Sequence, residues 1–216
     1  MQRPAFFAGL AIVVAAIGSI PAAIRHPSIA HAHGERDVLV QMVALRTTDQ
    51  VVHGVILTFA VILVYGFAGF AIRRGIERPA VLAGLVAYAI GTTVVMGAGA
   101  IDGFMLPALA ARYVDAPDAQ VAVALQLSTL CAIAIQALTK IWLVCVSAAV
   151  ALWSWDIVRS TRAQWGVATV GLVSGAAIIG FALFGRGVSA HILGVLGLAQ
   201  AAWNVWIGAL LMRGEV

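Results

Sequence analysis

Six long apolar runs dominate this 216-residue chain and constrain its fold more than any other feature. Five of them are close to the roughly 20 residues that a helix needs to cross a bilayer and the fourth is longer, whereas barrel strands alternate over about ten. Only 10% of the residues are charged, against about a quarter in soluble domains. The sequence therefore predicts an all-α, polytopic integral membrane protein with one domain, residues 1–216. The six predicted transmembrane helices are residues 5–24, 51–72, 79–101, 121–153, 165–185 and 188–211.

Arginines at the ends of the runs indicate how the chain is threaded. Cytoplasmic loops carry an excess of Lys and Arg, and seven of the twelve arginines fall on one side of the six helices. This bias predicts an N-in, C-in protein, and the chain resembles small multi-pass proteins of the bacterial inner membrane in its general character. The seven arginines are Arg3, Arg73, Arg74, Arg78, Arg159, Arg162 and Arg213.

Residues 25–50 are predicted to lie outside the membrane and to contain a short helix on its outer surface. The apolar spacing that suggests this helix is Val38, Leu39, Met42, Val43 and Leu45. A second external segment is interrupted by Pro107 and Pro117. The first run has an alternative interpretation as a signal peptide cleaved after residues 30–32, which would leave His33 as an N-terminus able to bind copper.

The single lysine, Lys140, lies inside the fourth run. On a helical wheel, polar side chains share its stripe: Gln126, Thr129, Gln136, Lys140 and Ser147. Polar groups in hydrocarbon need partners, so the stripe predicts either a polar cavity or a set of interhelical hydrogen bonds. We expect Asp102, on the third run, to be the counter-ion of Lys140. Asn204, on a small-residue face of the sixth run, is a further candidate for the cavity.

All five histidines fall on the predicted external side: His26, His31, His33, His53 and His191. Imidazole and carboxylate ligands without thiols suit Zn²⁺ or Cu²⁺. One candidate metal site uses His31 and His33 of the external segment, which has an alternative as a solvated polar loop. The other joins His53, Asp102 and His191, provided that the second, third and sixth helices are neighbours. Haem ligation by two histidines is disfavoured, because membrane cytochromes usually present more of them.

No phosphate-binding loop, GxSxG or HExxH motif is present, and the sequence favours no enzyme class. The first functional hypothesis is binding or transport of a transition metal ion or small anion in an externally open cavity. The alternatives are a membrane redox or metalloenzyme subunit and a structural accessory subunit. The net charge of +4 reports membrane threading, so the expected partner is the lipid bilayer and not nucleic acid. Gly171 and Gly175 favour close helix packing, within the bundle or in a homo-oligomer or larger complex.

Overall fold

The computed structural model describes residues 3–27, 33–160, 162–185 and 190–216, with side chains in the last stretch from residue 192. All regular secondary structure within these residues is helical, and no strand occurs among them. The α-helices are α1 (Arg3–Ile24), α2 (Glu35–Arg74), α3 (Pro79–Ala100), α4 (Leu106–Tyr113), α5 (Asp118–Ser160), α6 (Trp165–Phe184) and α7 (Ala190–Arg213). A π-helical turn, Ile101–Met105, connects α3 to α4, and a 3₁₀ turn, Arg162–Gln164, precedes α6.

Within the described residues, six helical stretches are long and apolar enough to cross a membrane, which confirms the predicted number and class of elements. Four of the predicted ranges agree with the observed helices to within a few residues. The other two are too short: the second begins at Glu35 instead of residue 51, and the fourth spans Asp118–Ser160 instead of 121–153. Six helices of this length and hydropathy are compatible with a multi-pass membrane protein.

The long helices form a closed ring in chain order. α1 packs on α2, α2 on α3, α3 on α5, α5 on α6, α6 on α7, and α7 returns to α1. Buried aromatic side chains fill the middle of the ring. Phe67 of α2 stacks on Trp153 of α5 with ring centroids 4.8 Å apart, and Trp153 lies parallel to Trp203 of α7 at 6.3 Å. This packing closes the centre of the bundle.

Small residues determine the packing register of α1 against α2. A side chain at Gly18 would overlap Phe59, one at Gly66 would overlap Ile12, and Gly69 lies directly on Ala8. Because the helices are antiparallel, each residue forward on α1 corresponds to one residue backward on α2. This register brings the chain just beyond α1 to the level of residues 51–53.

The predicted surface helix in residues 25–50 is instead the first part of α2. Leu39 is fully buried against Ala110 of α4 and against Val121 and Ala124 of α5, so this part packs sideways on other helices. Arg36 adds hydrogen bonds to the backbone carbonyls of Val114 and Ala116 and to the carboxylate of Asp118. These contacts explain why the helix runs on beyond its apolar stretch.

Pro107 accounts for the π-helical turn between α3 and α4. Proline has no N–H and its ring crowds the carbonyl four residues earlier, so a regular α-helix cannot pass through it without a local change. Here the Leu106 N–H bonds to the Ile101 carbonyl, five residues back. The wider turn carries Asp102, and such turns often occur at functional sites.

The two ends of the ring differ in chemistry. At one end, called here the arginine end, Arg74 and Arg78 both bind the buried carboxylate of Asp156. The opposite end, called the histidine end, contains His26, His53 and Asp102.

Candidate metal site

Four ionisable side chains meet at the histidine end: His26, Asp49, His53 and Asp102. They come from three elements that the ring makes neighbours. His26 follows the last turn of α1, Asp49 and His53 are one helical turn apart on α2, and Asp102 belongs to the π-helical turn. The side chain of His53 is only 6% exposed, whereas His26 and Asp102 are each about one third exposed. We call these four residues the His/Asp cluster.

One carboxylate oxygen of Asp102 joins the two histidines. Asp102 Oδ2 lies 3.3 Å from His53 Nε2 and 3.4 Å from His26 Nε2. The two imidazole rings meet edge to face, with centroids 4.9 Å apart. Two nitrogens and one oxygen therefore converge on the same small volume.

The other nitrogen of each ring fixes its orientation. His53 Nδ1 lies 3.0 Å from the backbone carbonyl of Asp49, and His26 Nδ1 lies 3.0 Å from the carbonyl of Pro27. A carbonyl oxygen only accepts, so both Nδ1 atoms must donate. In the neutral form, each ring then carries its lone pair on Nε2, the atom directed at Asp102. This is the tautomer that a metal-binding histidine adopts when its second nitrogen is held by the protein.

Asp49 contributes a buried oxygen without a hydrogen-bond donor. Its Oδ1 lies 3.0 Å from His53 Nδ1, but the single N–H there bonds to the Asp49 carbonyl, and Oδ1 has no hydrogen-bond partner. Leaving a buried carboxylate oxygen unpaired is costly. The ligand atoms of His26, Asp49 and His53 all lie within 4.8 Å of one another, a spacing that can hold a metal ion.

The electrostatics favour a positive charge at this place. The hydrogen bond to the Asp102 carboxylate raises the pKa of His26 above its usual range, although burial of the ring acts in the opposite direction. Without another cation, a proton on His26 compensates the carboxylate. The cluster thus attracts positive charge at an oxygen shared by two imidazoles.

Glycines allow α2 to approach the π-helical turn closely enough to form the cluster. A Cβ at Gly103 would lie 2.5 Å from His53 Cγ and 2.8 Å from Nδ1, so any side chain there would displace the imidazole. One helical turn earlier, a Cβ at Gly99 would be 3.6 Å from His53 Cδ2. His53 therefore occupies a groove that only small residues leave open.

A cavity of about 250 Å³ opens beside the cluster. Its polar side is formed by His26, Asp49 and Asp102. Its remaining walls are apolar: Pro27, Met42, Leu45, Leu106 and Pro107. This cavity thus lies at the histidine end, next to the residues that can bind a cation.

The predicted Lys140–Asp102 pair is replaced by other contacts. Lys140 Nζ donates to the backbone carbonyl of Gly185 at 3.0 Å, at the end of α6, while Asp102 contacts the two histidines. The register of α5 on α6 explains why Lys140 meets Gly185. Ser154 of α5 lies against Gly171 of α6, and a step of fourteen residues along each helix toward the histidine end leads to Lys140 and Gly185. Lys140 thus holds the C-terminal end of α6.

The rest of the predicted polar stripe is distributed over different surroundings. Gln126, Thr129 and Gln136 are exposed on the outer surface of the single chain, and the Thr129 hydroxyl donates to the Leu125 carbonyl of its own helix. Asn204 is buried in α7 and accepts a hydrogen bond from Gln200. Neither Asn204 nor the stripe borders the cavity beside the His/Asp cluster.

The predicted metal ligands are placed unequally. His53 and Asp102 come together as expected. His33 is exposed, and its backbone N–H donates to Asp37. His31 lies outside the described residues, and so does the side chain of His191.

His26 and Asp49 are not among the residues that the sequence predicts for the site. Asp49 was available from its spacing, since it precedes His53 by four residues and shares its helical face, but the predicted helix began only at residue 51. His26 needed the α1–α2 register, which depends on how individual glycines pack. No pattern in the sequence predicts that register.

Comparison of the chain with protein-family models, with curated proteins and with solved structures finds no match.

Proposed function

We propose that this protein binds a divalent transition metal ion, Zn²⁺ or Cu²⁺, at the histidine end of its helical ring. The observation that carries the proposal is the convergence of His26 Nε2 and His53 Nε2 on one oxygen of Asp102. Imidazole and carboxylate are common ligands of both ions.

The distances support a tetrahedral ion. Zinc–nitrogen and zinc–oxygen bonds of about 2.0–2.1 Å in a tetrahedron separate the ligand atoms by about 3.3–3.4 Å. The two Nε2–Oδ2 separations are 3.3 and 3.4 Å. An ion bound by these three atoms would take the place of the protons that they share.

Asp49 is assigned a supporting role. Because His53 donates from Nδ1 toward Asp49, its free lone pair is on Nε2, and the metal is expected on that side of the ring. The Asp49 backbone carbonyl fixes the orientation of the ring, and the negative charge of the Asp49 carboxylate, 3.0 Å from Nδ1, raises the basicity of the imidazole. The alternative arrangement, in which Asp49 itself binds the ion with His26 and His53, is tested by substituting the two aspartates separately.

Packing below the cluster favours binding over passage through the protein. Phe67, Trp153 and Trp203 are fully buried and stack on one another in the middle of the ring. The cavity, in contrast, is bordered by residues of the histidine end. We therefore propose a site that captures or senses the ion at one membrane face.

The arginine bias supports an outward-facing site. With Arg74, Arg78 and the chain termini in the cytoplasm, the histidine end faces the external side of the membrane. In a bacterium this protein would be a multi-pass inner-membrane protein with N-in, C-in topology, and the site would face the periplasm. There, outside the reducing cytosol, a site without thiols suits Zn²⁺ or Cu²⁺.

The test is equilibrium binding of Zn²⁺ and Cu²⁺ to purified protein that has been stripped with a chelator. We expect one tightly bound ion per chain. Loss of a first ligand, as in His53→Ala or Asp102→Asn, is expected to weaken binding by at least a hundredfold, whereas Asp49→Asn should cost about 10–100-fold.

His33→Ala is the matched control, because this histidine is exposed and follows His26 by only seven residues. Its affinity should equal that of the wild type. Stoichiometric binding that survives His53→Ala, or that disappears in His33→Ala, would contradict the assignment.

A further inference from the structure

The cavity beside the His/Asp cluster is much larger than a metal ion. Its volume is about 250 Å³. This is close to the lower limit of about 300 Å³ for small-molecule pockets. The space left beside a bound ion is therefore sufficient for a small organic molecule.

The polar and apolar parts of this cavity are separated. The candidate ligand His26 and the carboxylates of Asp49 and Asp102 form one side. Met42 and Leu45 precede Asp49 by two turns and one turn of α2, so they extend the apolar wall away from the ion, and Leu106 and Pro107 add to it. A molecule that fits this arrangement has a metal-binding head and a short apolar body.

The coordination number leaves a place for that head. Three protein ligands, His26, His53 and Asp102, complete three of the four positions of a tetrahedral zinc ion. A metal site with an open position binds water or an external ligand there, unlike a structural site with four protein ligands. The cavity touches His26 and Asp102, so it gives access to that position.

We infer that the site takes the metal together with a small amphiphilic ligand, whose anionic oxygen donor completes the coordination shell and whose apolar body of a few carbons fills the cavity. This inference rests on the proposed metal site. It names a ligand class that recognition of a bare ion does not need.

The experiment uses the full-length protein loaded with Co²⁺, whose visible absorption changes when its coordination shell changes. The probes are alkyl hydroxamates of increasing length, from acetyl to hexanoyl, and then decanoyl. Burial of each methylene in an apolar pocket should tighten binding by about fourfold. We expect this gain through about six carbons and no further gain for decanoyl, because the cavity is then full.

Leu45→Gln tests whether the cavity wall causes the gain. Leu45 is half-buried and lies one helical turn from Asp49, and the variant should bind Co²⁺ and acetohydroxamate as the wild type does but lose most of the chain-length dependence. Val40→Gln is the matched control on the exposed side of the same helix, and it should keep the full dependence.

The outcomes separate the inference from the proposed function. If Co²⁺ does not bind, the proposed metal site fails and the inference fails with it. If Co²⁺ binds but the hydroxamate affinity is independent of chain length, only the inference is overturned. A gain that continues through decanoyl would show that the alkyl chain of the hydroxamate enters the bilayer. The natural ligand would then be a lipid, and the role assigned to the cavity would be overturned.

Discussion

His53 and Gly103 are in direct contact across the interface between α2 and the π-helical turn. A Cβ at residue 103 would lie 2.5 Å from His53 Cγ, closer than real side chains approach each other. The position of the buried imidazole therefore depends on the absence of a side chain one residue after Asp102. This relationship connects the packing of the helices with the geometry of the candidate metal site.

Gly103→Ala is expected to weaken Zn²⁺ binding by tenfold or more, because the added methyl group moves His53 away from Asp102. The protein should still fold, since the methyl group is small and the neighbouring contacts of α2 remain. The control is Gly97→Ala, where the nearest atom, Leu138 Cδ1, is 3.8 Å from the new Cβ and leaves room for it. Equal Zn²⁺ affinity of the two variants in a competition assay with a fluorescent chelator would contradict the contact.

The stability of the metal-free protein is expected to depend on pH through His26. Asp102 raises the pKa of His26, so the folded state holds this proton more strongly than the unfolded state. The resulting stabilisation is complete below about pH 6.5, the usual histidine pKa, and is lost as pH rises through the higher folded-state value. Thermal midpoints of wild type and His26→Gln should differ most at low pH and converge at high pH. A difference that grows with pH would have the wrong sign.

Zn²⁺ binding is expected to have the opposite pH dependence. A protonated imidazole cannot bind a metal, so protons compete with the ion at His26. Since the pKa of His26 is raised, the apparent affinity should begin to fall at a pH above about 6.5 as the solution is acidified. Calorimetric titrations between pH 6 and 9 in buffers of different ionisation enthalpy measure both the affinity and the protons released. Binding without proton release near pH 7 would contradict the ligand role of His26.

Lys140→Met should destabilise the fold modestly and leave metal binding unchanged. Lys140 donates to the carbonyl of Gly185, and a cation at a helix C-terminus contributes about 0.3–1 kcal/mol, with up to about 2 kcal/mol in partly buried positions. We therefore expect a loss of about 1–2 kcal/mol in the free energy of unfolding in mixed micelles. A large fall in Zn²⁺ affinity would instead place Lys140 in the functional site.

Asp156→Asn should be much more damaging, at about 3–5 kcal/mol, since it leaves the buried Arg74 and the half-buried Arg78 without their shared carboxylate. The matched control is Asp118→Asn. The Asp118 side chain is 99% exposed, and its ion pair with Arg36 is a surface pair that is worth about 0–1 kcal/mol. Similar unfolding free energies for the two variants would show that the arginine end is not held by Asp156.

The sequence predicts the number and class of the helices because each apolar run is as long as a bilayer is thick. It does not predict where α2 begins, since the first turns of this helix are stabilised by contacts such as Leu39 with Ala110 and not by their own hydrophobicity. For the site, His53 and Asp102 were recognisable as ionisable groups at one depth of the membrane. His26 was not, because its position depends on the packing of Gly18 on Phe59.

The hydrogen-bond partner of Lys140 could not be predicted from the sequence either. Depth along a helix could be estimated from residue counts, but the side of α5 on which a neighbour lies could not. The ring places α3 and α6 on different sides of α5, and Lys140 is directed to α6. Asp102 therefore contacts His26 and His53, and Lys140 contacts the C-terminal end of α6.

X-ray absorption of the Zn²⁺-loaded protein tests the central claim most directly. The account predicts a shell of nitrogen and oxygen atoms at about 2.0–2.1 Å, with outer-shell scattering from two imidazole rings per zinc. One imidazole contribution should disappear in His26→Ala and one in His53→Ala. A spectrum without imidazole scattering, with sulfur at about 2.3 Å, or unchanged in both variants would contradict a metal site built from His26, His53 and Asp102.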